Sequence, residues 1–230
     1  MNCWRRGAGN LGRSLCFLAL LGCLAAPGWA QLPVSDQGAL LVSQHGQPLG
    51  EEHFTLRHTA RGASLDADLD YRVEGKVVRQ QAALRLAPDG ALESYRWSEG
   101  GSVITVRFVH GRLTAHYQRA KGAGSDYGYQ MPATTSILDV NVFSLWELLA
   151  NRYDRARGGV QKFGVFVPQS GDPSQVSLSE ATPPRPGADW KLKAVTDDAD
   201  LDLTLRDGKL MRIEVPASGV EIHRVAAKTP

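Results

Sequence analysis

The chain has 230 residues, of which 43% are hydrophobic, and its formal net charge is +2 at pH 7. All three cysteines and three of the 26 basic residues lie in the first thirty positions, which contain no acidic residue. The 200 residues that follow hold 23 basic and 24 acidic side chains and no cysteine, so their net charge is near −1. This composition excludes a strongly basic nucleic-acid-binding surface, a disulfide scaffold, a cysteine nucleophile and cysteine metal sites in that part of the chain.

The amino-terminal segment has the organisation of a signal peptide. Three arginines precede a short apolar stretch at 15–21, and the small residues Gly28 and Ala30 suit signal-peptidase cleavage before Gln31. The apolar stretch is too short for a transmembrane helix, which needs about 20 residues, and no later stretch approaches that length. We therefore expect residues 1–30 to be removed and the mature protein to be periplasmic or secreted, without a membrane span.

The same segment contains an alternative processing site. The sequence Leu20-Leu21-Gly22-Cys23 resembles the lipobox of bacterial lipoproteins, in which a lipidated Cys23 would anchor the mature protein to a membrane. The residues that follow Cys23 are more apolar than the polar tether that usually follows a lipid anchor. Cleavage after Ala30 is the preferred prediction, and lipidation of Cys23 is the alternative.

The mature chain alternates between apolar and polar residues with period two, and turn residues interrupt this pattern at short intervals. Such a pattern predicts antiparallel β-structure, most clearly at Leu65–Val73, where four polar side chains share one face. The size of the chain predicts one β-rich domain over 39–225. A polar lead-in at 31–38 precedes the domain, and a tail at 226–230 follows it.

Two turns allow the register of neighbouring strands to be predicted. With His110-Gly111 as a two-residue turn, Phe108 pairs with Leu113, and the apolar residues of both strands share one face. At 206–208 we predict a three-residue loop, because a two-residue loop would place Leu203 opposite an arginine.

One segment, at about 141–153, departs from the period of two and predicts the single helix. Gly158-Gly159 would end the helical region, and because the helix is apolar around most of its circumference, other elements should cover it. The sequence therefore predicts a mainly β fold, in which a highly curved antiparallel sheet or open barrel of about eleven strands carries one inserted helix. The residues that recur at helical spacing are Val142, Leu145, Trp146, Leu149 and Tyr153.

Motifs that would indicate catalysis or metal binding are missing from the sequence. Asp66, Asp68 and Asp70 imitate the start of a calcium loop, but the required glycine and glutamate do not follow, so a solvated strand face explains them better. The histidines have no metal-ligand spacing, and there is no nucleophile elbow or phosphate-binding loop. We therefore predict no catalytic residue, metal site or cofactor, and an enzyme ranks last among the functional classes.

The aromatic residues suggest a binding site. If they surround one apolar interior, a lipid or other hydrophobic molecule could bind between the curved sheet and the helix. The general preference for close packing favours a filled core instead. The residues predicted to contact such a ligand are Tyr71, Phe108, Tyr117, Phe143 and Trp146, and those that could join them are Tyr95, Trp97, Tyr127 and Tyr129.

Three segments carry a resemblance to known proteins: Gly50–Leu56 opens the run of strands, Val142–Trp146 begins the helix, and Leu203–Pro216 closes the domain. In this plan the chain resembles a group of exported bacterial proteins related in style to periplasmic lipoprotein carriers. The resemblance covers 39–225 and implies a highly curved antiparallel sheet that is covered by helices and holds acyl chains in its hollow. It implies no catalytic motif and no specific ligand contacts.

Two functions follow as expectations. The first is a non-catalytic protein of the bacterial envelope that binds or carries a lipid or another hydrophobic molecule. The alternative is an envelope interaction protein with a filled core, which binds another protein through strand edges or loops. Neither function involves nucleic acid.

Overall fold

The structure is a computed structural model that describes residues 35–73, 75–182 and 189–225. The predicted signal peptide with Cys23, the first half of the predicted lead-in and the predicted tail lie outside these ranges. No helix within the described ranges is long and apolar enough to cross a membrane.

The described residues form one sheet of fifteen strands and one short helix. All neighbouring strands are antiparallel except β9 and β10. The strands are β1 (Asp36–Gln44), β2 (Gln47–Thr59), β3 (Gly62–Val73), β4 (Lys76–Leu86), β5 (Leu92–Glu99), β6 (Ser102–Val109), β7 (Arg112–Gln118), β8 (Ser125–Tyr129), β9 (Ser136–Ile137), β10 (Gln161–Val167), β11 (Asp172–Thr182), β12 (Trp190–Val195), β13 (Asp200–Arg206), β14 (Lys209–Val215) and β15 (Val220–Val225); the helix is α1 (Leu145–Ala150).

The strand order places the first and last strands side by side in the middle of the sheet. The order is β8-β7-β6-β5-β4-β3-β2-β1-β15-β14-β13-β12-β11-β10-β9, and β1 pairs with β15 from Ala39 opposite Val225 to Gln44 opposite Val220. Strand β1 begins at Asp36, within the segment predicted as a lead-in, because the backbone there pairs with β2 although the side chains are polar.

The sheet is curved so strongly that the edge strand β8 packs against β10, the strand next to the opposite edge. Tyr129 on β8 packs against Phe166 on β10 with ring centroids 4.8 Å apart, and the backbone N–H of Leu92 donates to the carbonyl oxygen of Ala133 at 3.3 Å. Within the described residues β8 forms no ladder with β9 or β10, so the sheet is not closed.

The predicted fold class is confirmed: the protein is mainly β, with one large, mostly antiparallel sheet that is not closed and one helix. The described residues form fifteen strands, whereas about eleven were predicted for the domain. Among the strands without a readable signal, β8 is exposed at four of its five residues and has no alternation, and β9 has two residues, too few for a period.

Helix α1 contains six residues, from Leu145 to Ala150, whereas the spacing predicted a helix over about 141–153. The helix is shorter than predicted because turns on both sides of it place residues at nearly the same spacing as a helix would. The N–H of Trp146 donates to the carbonyl oxygen of Phe143, and the N–H of Tyr153 donates to that of Ala150, both at 3.0 Å and both three residues apart. The helix packs on the concave face of the sheet, and its side chains join one continuous apolar core.

The two predicted turns have opposite outcomes. His110-Gly111 forms the predicted two-residue turn, and both residues have positive φ, at 48° and 77°. The prediction of a three-residue loop at the later turn is wrong, because Asp207-Gly208 alone forms it. A bulge at Met211 then shifts the register, so that Leu203 pairs with Ile213 and two core residues still face each other.

Candidate functional site

The structure separates the five aromatic residues predicted to bind a ligand into two groups. Tyr71 and Trp146 are buried in the core beside the partly buried Phe143, near the start of the helix, and the Tyr71 hydroxyl donates to the carbonyl oxygen of Asn141 at 2.5 Å. Phe108 and Tyr117 lie on β6 and β7, and both are partly buried against the core.

An open cleft of about 810 Å³ lies at one end of the curved sheet, beneath the carboxyl end of the helix. All five predicted aromatic residues belong to the described part of the chain, and none of them lines this cleft. Apolar side chains form most of its walls. They are Ala63, Leu84, Leu86, Ala87, Pro88, Ile137, Leu145, Leu148, Leu149, Tyr153 and Ala156.

The strands position one wall of the cleft through their pairing. His58 at the end of β2 pairs with Ala63 on β3, and Ala63 pairs with Leu86 at the end of β4, so the three residues lie in one row across the sheet. The row ends at the turn from β4 to β5. The opposite wall is the helix, where Leu145 and Leu149 are four residues apart and therefore share one face.

Arg152 lies in the turn after the helix, at the rim of the cleft. Its Nη1 donates to the carbonyl oxygen of Thr134 at 2.8 Å and to Oγ of Ser136 at 2.5 Å, and both acceptors are uncharged. No described carboxylate lies within 4 Å of this guanidinium. Protein atoms around the exposed side chain lower the pKa of Arg152 by desolvation.

His58 contributes a second polar group from the strand wall. Both of its ring nitrogens are shielded from solvent, and neither has a hydrogen-bond partner among the described residues. Desolvation lowers the pKa of His58, which favours the neutral ring near pH 7. The cleft therefore combines apolar walls with the guanidinium groups of Arg152 and Arg155 and the imidazole of His58, all of which have unused hydrogen-bonding capacity.

A separate set of buried polar groups lies around the helix. Glu52 on β2 has no exposed surface, and its carboxylate accepts hydrogen bonds from the N–H of Phe143 at 2.7 Å, from the N–H of Ser144 at 3.2 Å and from the Ser144 hydroxyl. Burial raises the pKa of Glu52 to about 7, outweighing these three bonds. The carboxylate thus attaches the start of the helix to the centre of the sheet.

Glu147 attaches the middle of the helix to the other half of the sheet. Its Oε2 accepts from the N–H of Leu210 at 2.7 Å and from Nη2 of Arg224 at 3.1 Å, while burial raises the pKa of Glu147 to about 7. Arg224 also bonds Asp36 at 2.6 Å, and Lys209 bonds the same carboxylate at 3.0 Å. Burial alone would raise the pKa of Asp36, but the two cations together lower it.

Asp139 is the third buried carboxyl group near the helix. It accepts hydrogen bonds from the hydroxyl of Tyr95 and from the side-chain amide of Gln169, and burial raises its pKa. These carboxyl groups join separate elements of the fold, and none of them lines the cleft, although Oε1 of Glu147 has no hydrogen-bond partner among the described residues. The described residues contain no cluster of three histidine, cysteine or acidic side chains arranged to hold a metal ion.

The sequence interpretation missed both the cleft and the buried carboxylates. A signal for Glu52 was present, because it is in phase with Phe54 and Leu56 on the buried face of β2. Glu147 likewise lies inside the apolar helical segment. The cleft has no such signal, because its walls come from three segments that are distant in sequence.

Comparisons with known proteins find little. No protein-family model matches the chain, and no curated protein matches it. Among solved structures, the chain is similar to the crystal structure of a DUF1089 family protein from Pseudomonas aeruginosa. The two chains are 13% identical, the match covers 83% of this chain and 95% of that chain, and the TM-score is 0.43. This likeness carries no information about function.

Proposed function

We propose that this protein is a non-catalytic binding protein that holds a lipid or another apolar molecule in the cleft beneath the helix. The observation that carries the proposal is the cleft itself, whose volume of about 810 Å³ and mainly apolar walls are typical of small-molecule sites. Tyr71 and Trp146 belong to the continuous apolar core and do not line the cleft, so the proposed ligand lies in the cleft and not around these two residues.

The proposed setting is the bacterial envelope, after export directed by residues 1–30. The features of that segment support this proposal, because three arginines precede a short apolar stretch and small residues precede Gln31. Intact mass of the protein purified from its own envelope tests it. A chain that begins at Gln31 supports export and release, a lipidated Cys23 supports export with an anchor, and an unprocessed chain contradicts both.

Ligand binding is tested by filling the cleft. Ala156 is exposed on the rim, so Ala156→Trp would obstruct the cleft without disturbing the core. Ala123→Trp, in an exposed loop that does not line the cleft, is the matched control. We expect the wild type and the control to bind dodecanol, and Ala156→Trp to lose most of that affinity.

A second experiment asks whether the natural ligand is apolar. Native mass spectrometry of protein from its own envelope should detect a bound lipid in the wild type, and the Ala156→Trp variant should carry less of it. Absence of a bound lipid together with no binding of dodecanol would contradict the proposed function.

The outer edge of β8 favours a second candidate function, which is binding of another envelope protein. Among the described strands β8 pairs with β7 alone, so its other edge has free backbone groups, and Tyr127 on it is 54% exposed. Such an edge can accept a strand from a partner. A photo-crosslinking residue at Tyr127 in intact cells tests this function, and failure to capture a protein there would contradict it.

A further inference from the structure

Arg152 is the one arginine at the cleft whose charge is not matched by a carboxylate within the described residues. The other arginine, Arg155, lies 4.0 Å from Glu180 and stacks over the ring of Trp190 at 4.8 Å. Arg152 donates only to a carbonyl oxygen and a hydroxyl oxygen, and its guanidinium lies 5.6 Å from the centre of the Phe163 ring. Desolvation lowers its pKa, and no neighbouring negative charge acts in the opposite direction. An anion at this position would therefore meet a positive charge that no described carboxylate neutralises.

Two aspartates also line the cleft, and both carboxylates are used by local turns. Oδ1 of Asp154 accepts from the N–H groups of Ala156 and Arg157, at 2.9 and 3.1 Å. Oδ1 of Asp89 accepts from the N–H of Ala91 at 3.0 Å. These bonds use one carboxylate oxygen of each aspartate, and neither aspartate lies within 4 Å of the Arg152 guanidinium.

We propose that the cleft takes an anionic amphiphile, with its apolar chain against the leucine walls and its carboxylate or phosphate group on Arg152. His58, on the opposite wall, donates a hydrogen bond from its unused ring nitrogen to the polar part of the ligand. This inference rests on the proposed function and adds the class of ligand. The guanidinium geometry suits an oxyanion, because it offers two parallel N–H donors, and such charge-assisted bonds are about twice as strong as neutral ones.

The test compares three ligands with the same apolar chain: dodecanoate, dodecyl phosphate and dodecanol. Binding is measured by calorimetric titration of the full-length protein below the concentrations at which the ligands aggregate. The wild type is expected to bind at least one of the anions about tenfold more tightly than dodecanol, as one charge-assisted bond implies. The tighter anion identifies the headgroup as a carboxylate or a phosphate.

Arg152→Gln is expected to remove the preference for the anion and to leave the affinity for dodecanol unchanged. Arg157→Gln is the matched control, because Arg157 is exposed in the same segment and does not line the cleft, and it should keep the preference. His58→Phe keeps a ring of similar size without nitrogens and is expected to weaken binding of all three ligands, because each has a polar oxygen that can accept this hydrogen bond.

The outcomes separate this inference from the proposed function. Equal affinity of the wild type for the anions and dodecanol, or an anion preference that survives in Arg152→Gln, would overturn the inference and leave the proposed function standing. Unchanged anion binding by His58→Phe would overturn the role of His58. Failure of all three ligands to bind would overturn the proposed function itself.

Discussion

Glu52 and Glu147 occupy positions where apolar side chains would normally lie. Removing a carboxylate from water is costly, and in both residues this cost exceeds the gain from the hydrogen bonds that the carboxylate accepts. The pKa of each group therefore rises from its ordinary value of 4.5 to about 7. Stability of the fold and protonation of these groups must be coupled.

The first prediction is that Glu52→Gln reduces the pH dependence of stability. Because the folded protein holds the proton of Glu52 more tightly than the unfolded chain, the resulting stability is complete below pH 4.5 and is lost as pH rises to about 7. The size of the effect is on the order of 3 kcal/mol. Urea denaturation of both proteins between pH 5 and 8 measures it.

The comparison of wild type with variant removes the contribution of other groups, including His58, whose lowered pKa acts in the opposite direction. Glu51→Gln is the control, because Glu51 is the neighbouring residue on β2 and its side chain is 27% exposed. Its pH dependence should match that of the wild type. The same slope in Glu52→Gln as in the wild type would contradict the prediction.

For a single residue such as Glu52, the sequence could predict that the side chain is buried but not which groups donate hydrogen bonds to it. The phase of Glu52 with Phe54 and Leu56 places it on the buried face of β2. Its partners, Phe143 and Ser144, follow more than ninety positions later, so only the folded chain brings them together. For the same reason, Arg152 could be recognised as a cation near a helix end but not as the rim of a cleft.

Single elements are joined to one another by Arg224. Its guanidinium on β15 reaches Asp36 on β1, Glu147 on the helix and the carbonyl oxygen of Leu210 on β14. Only 11% of the side chain is exposed. Loss of this arginine would leave two buried carboxylates without their principal counter-charge.

The second prediction is that Arg224→Met destabilises the protein by about 3 kcal/mol or more, because a buried ion pair loses one partner. Arg212→Met on the adjacent strand is the matched control. Arg212 bonds Glu214 and Glu221 at 3.0 Å, but its side chain is 44% exposed, so its loss should cost about 1 kcal/mol or less. Equal effects of the two substitutions, measured by urea denaturation, would show that the buried network does not matter.

The third prediction concerns two glycines with positive φ. Gly111 has φ of 77° and open space around it, so Gly111→Ala should cost about 1 kcal/mol through backbone strain alone. Gly62 has φ of 117°, and an added Cβ there would overlap the carbonyl oxygen of Leu86. We expect Gly62→Ala to cost at least about 2 kcal/mol more than Gly111→Ala in thermal or urea unfolding. A smaller cost for Gly62→Ala would contradict this close approach of β3 and β4.

Elements with strong local signals were predictable, and those without them were not. The turn at His110-Gly111 follows from local chemistry, because glycine accepts positive φ and the alternation on both sides agrees with the register. The bulge at Met211 does not follow from local chemistry. It allows Leu203 to pair with Ile213, and that pairing depends on the packing of the folded core. The helix is shorter than the periodic segment at 141–153, because the turns on both sides of the helix also bury residues at helical spacing.

Pairing of β1 with β15 organises the whole molecule. The first and last described strands, β1 and β15, lie at the centre of the sheet, and the strands on each side follow outward until β8 and β9 form the edges. Contacts between the first and last strands span almost the full described chain, so they form only when most of the fold is in place.

The fourth prediction is a gradient of hydrogen exchange across the sheet. Amide protons in β1 and β15 should exchange only through global unfolding, because both strands are hydrogen-bonded to a neighbouring strand on each side. Amide protons in β8 should exchange faster by about two orders of magnitude or more, because this edge strand can open locally. Native-state exchange followed by mass spectrometry measures both, and equal protection of β8 and β1 would contradict it.

The sequence could predict the fold class, an antiparallel sheet, but not the order of all its strands. Alternation with frequent turns indicates an antiparallel sheet, and successive strands do pair in order on each side of the centre. Nothing local indicates that β1 meets β15, or that the helix leaves a cleft between its carboxyl end and the row from His58 to Leu86. The cleft is a property of the whole molecule.

Mapping of dodecanoate by nuclear magnetic resonance tests the proposed binding site most directly. On titration, the largest shifts of backbone amides should fall at the cleft, in Ala63, Ile137 and Leu148, and should be lost in Ala156→Trp. Shifts centred on Tyr71 and Phe108 would instead place the ligand in the aromatic interior. That result, or the absence of any saturable shift, would contradict binding in the cleft.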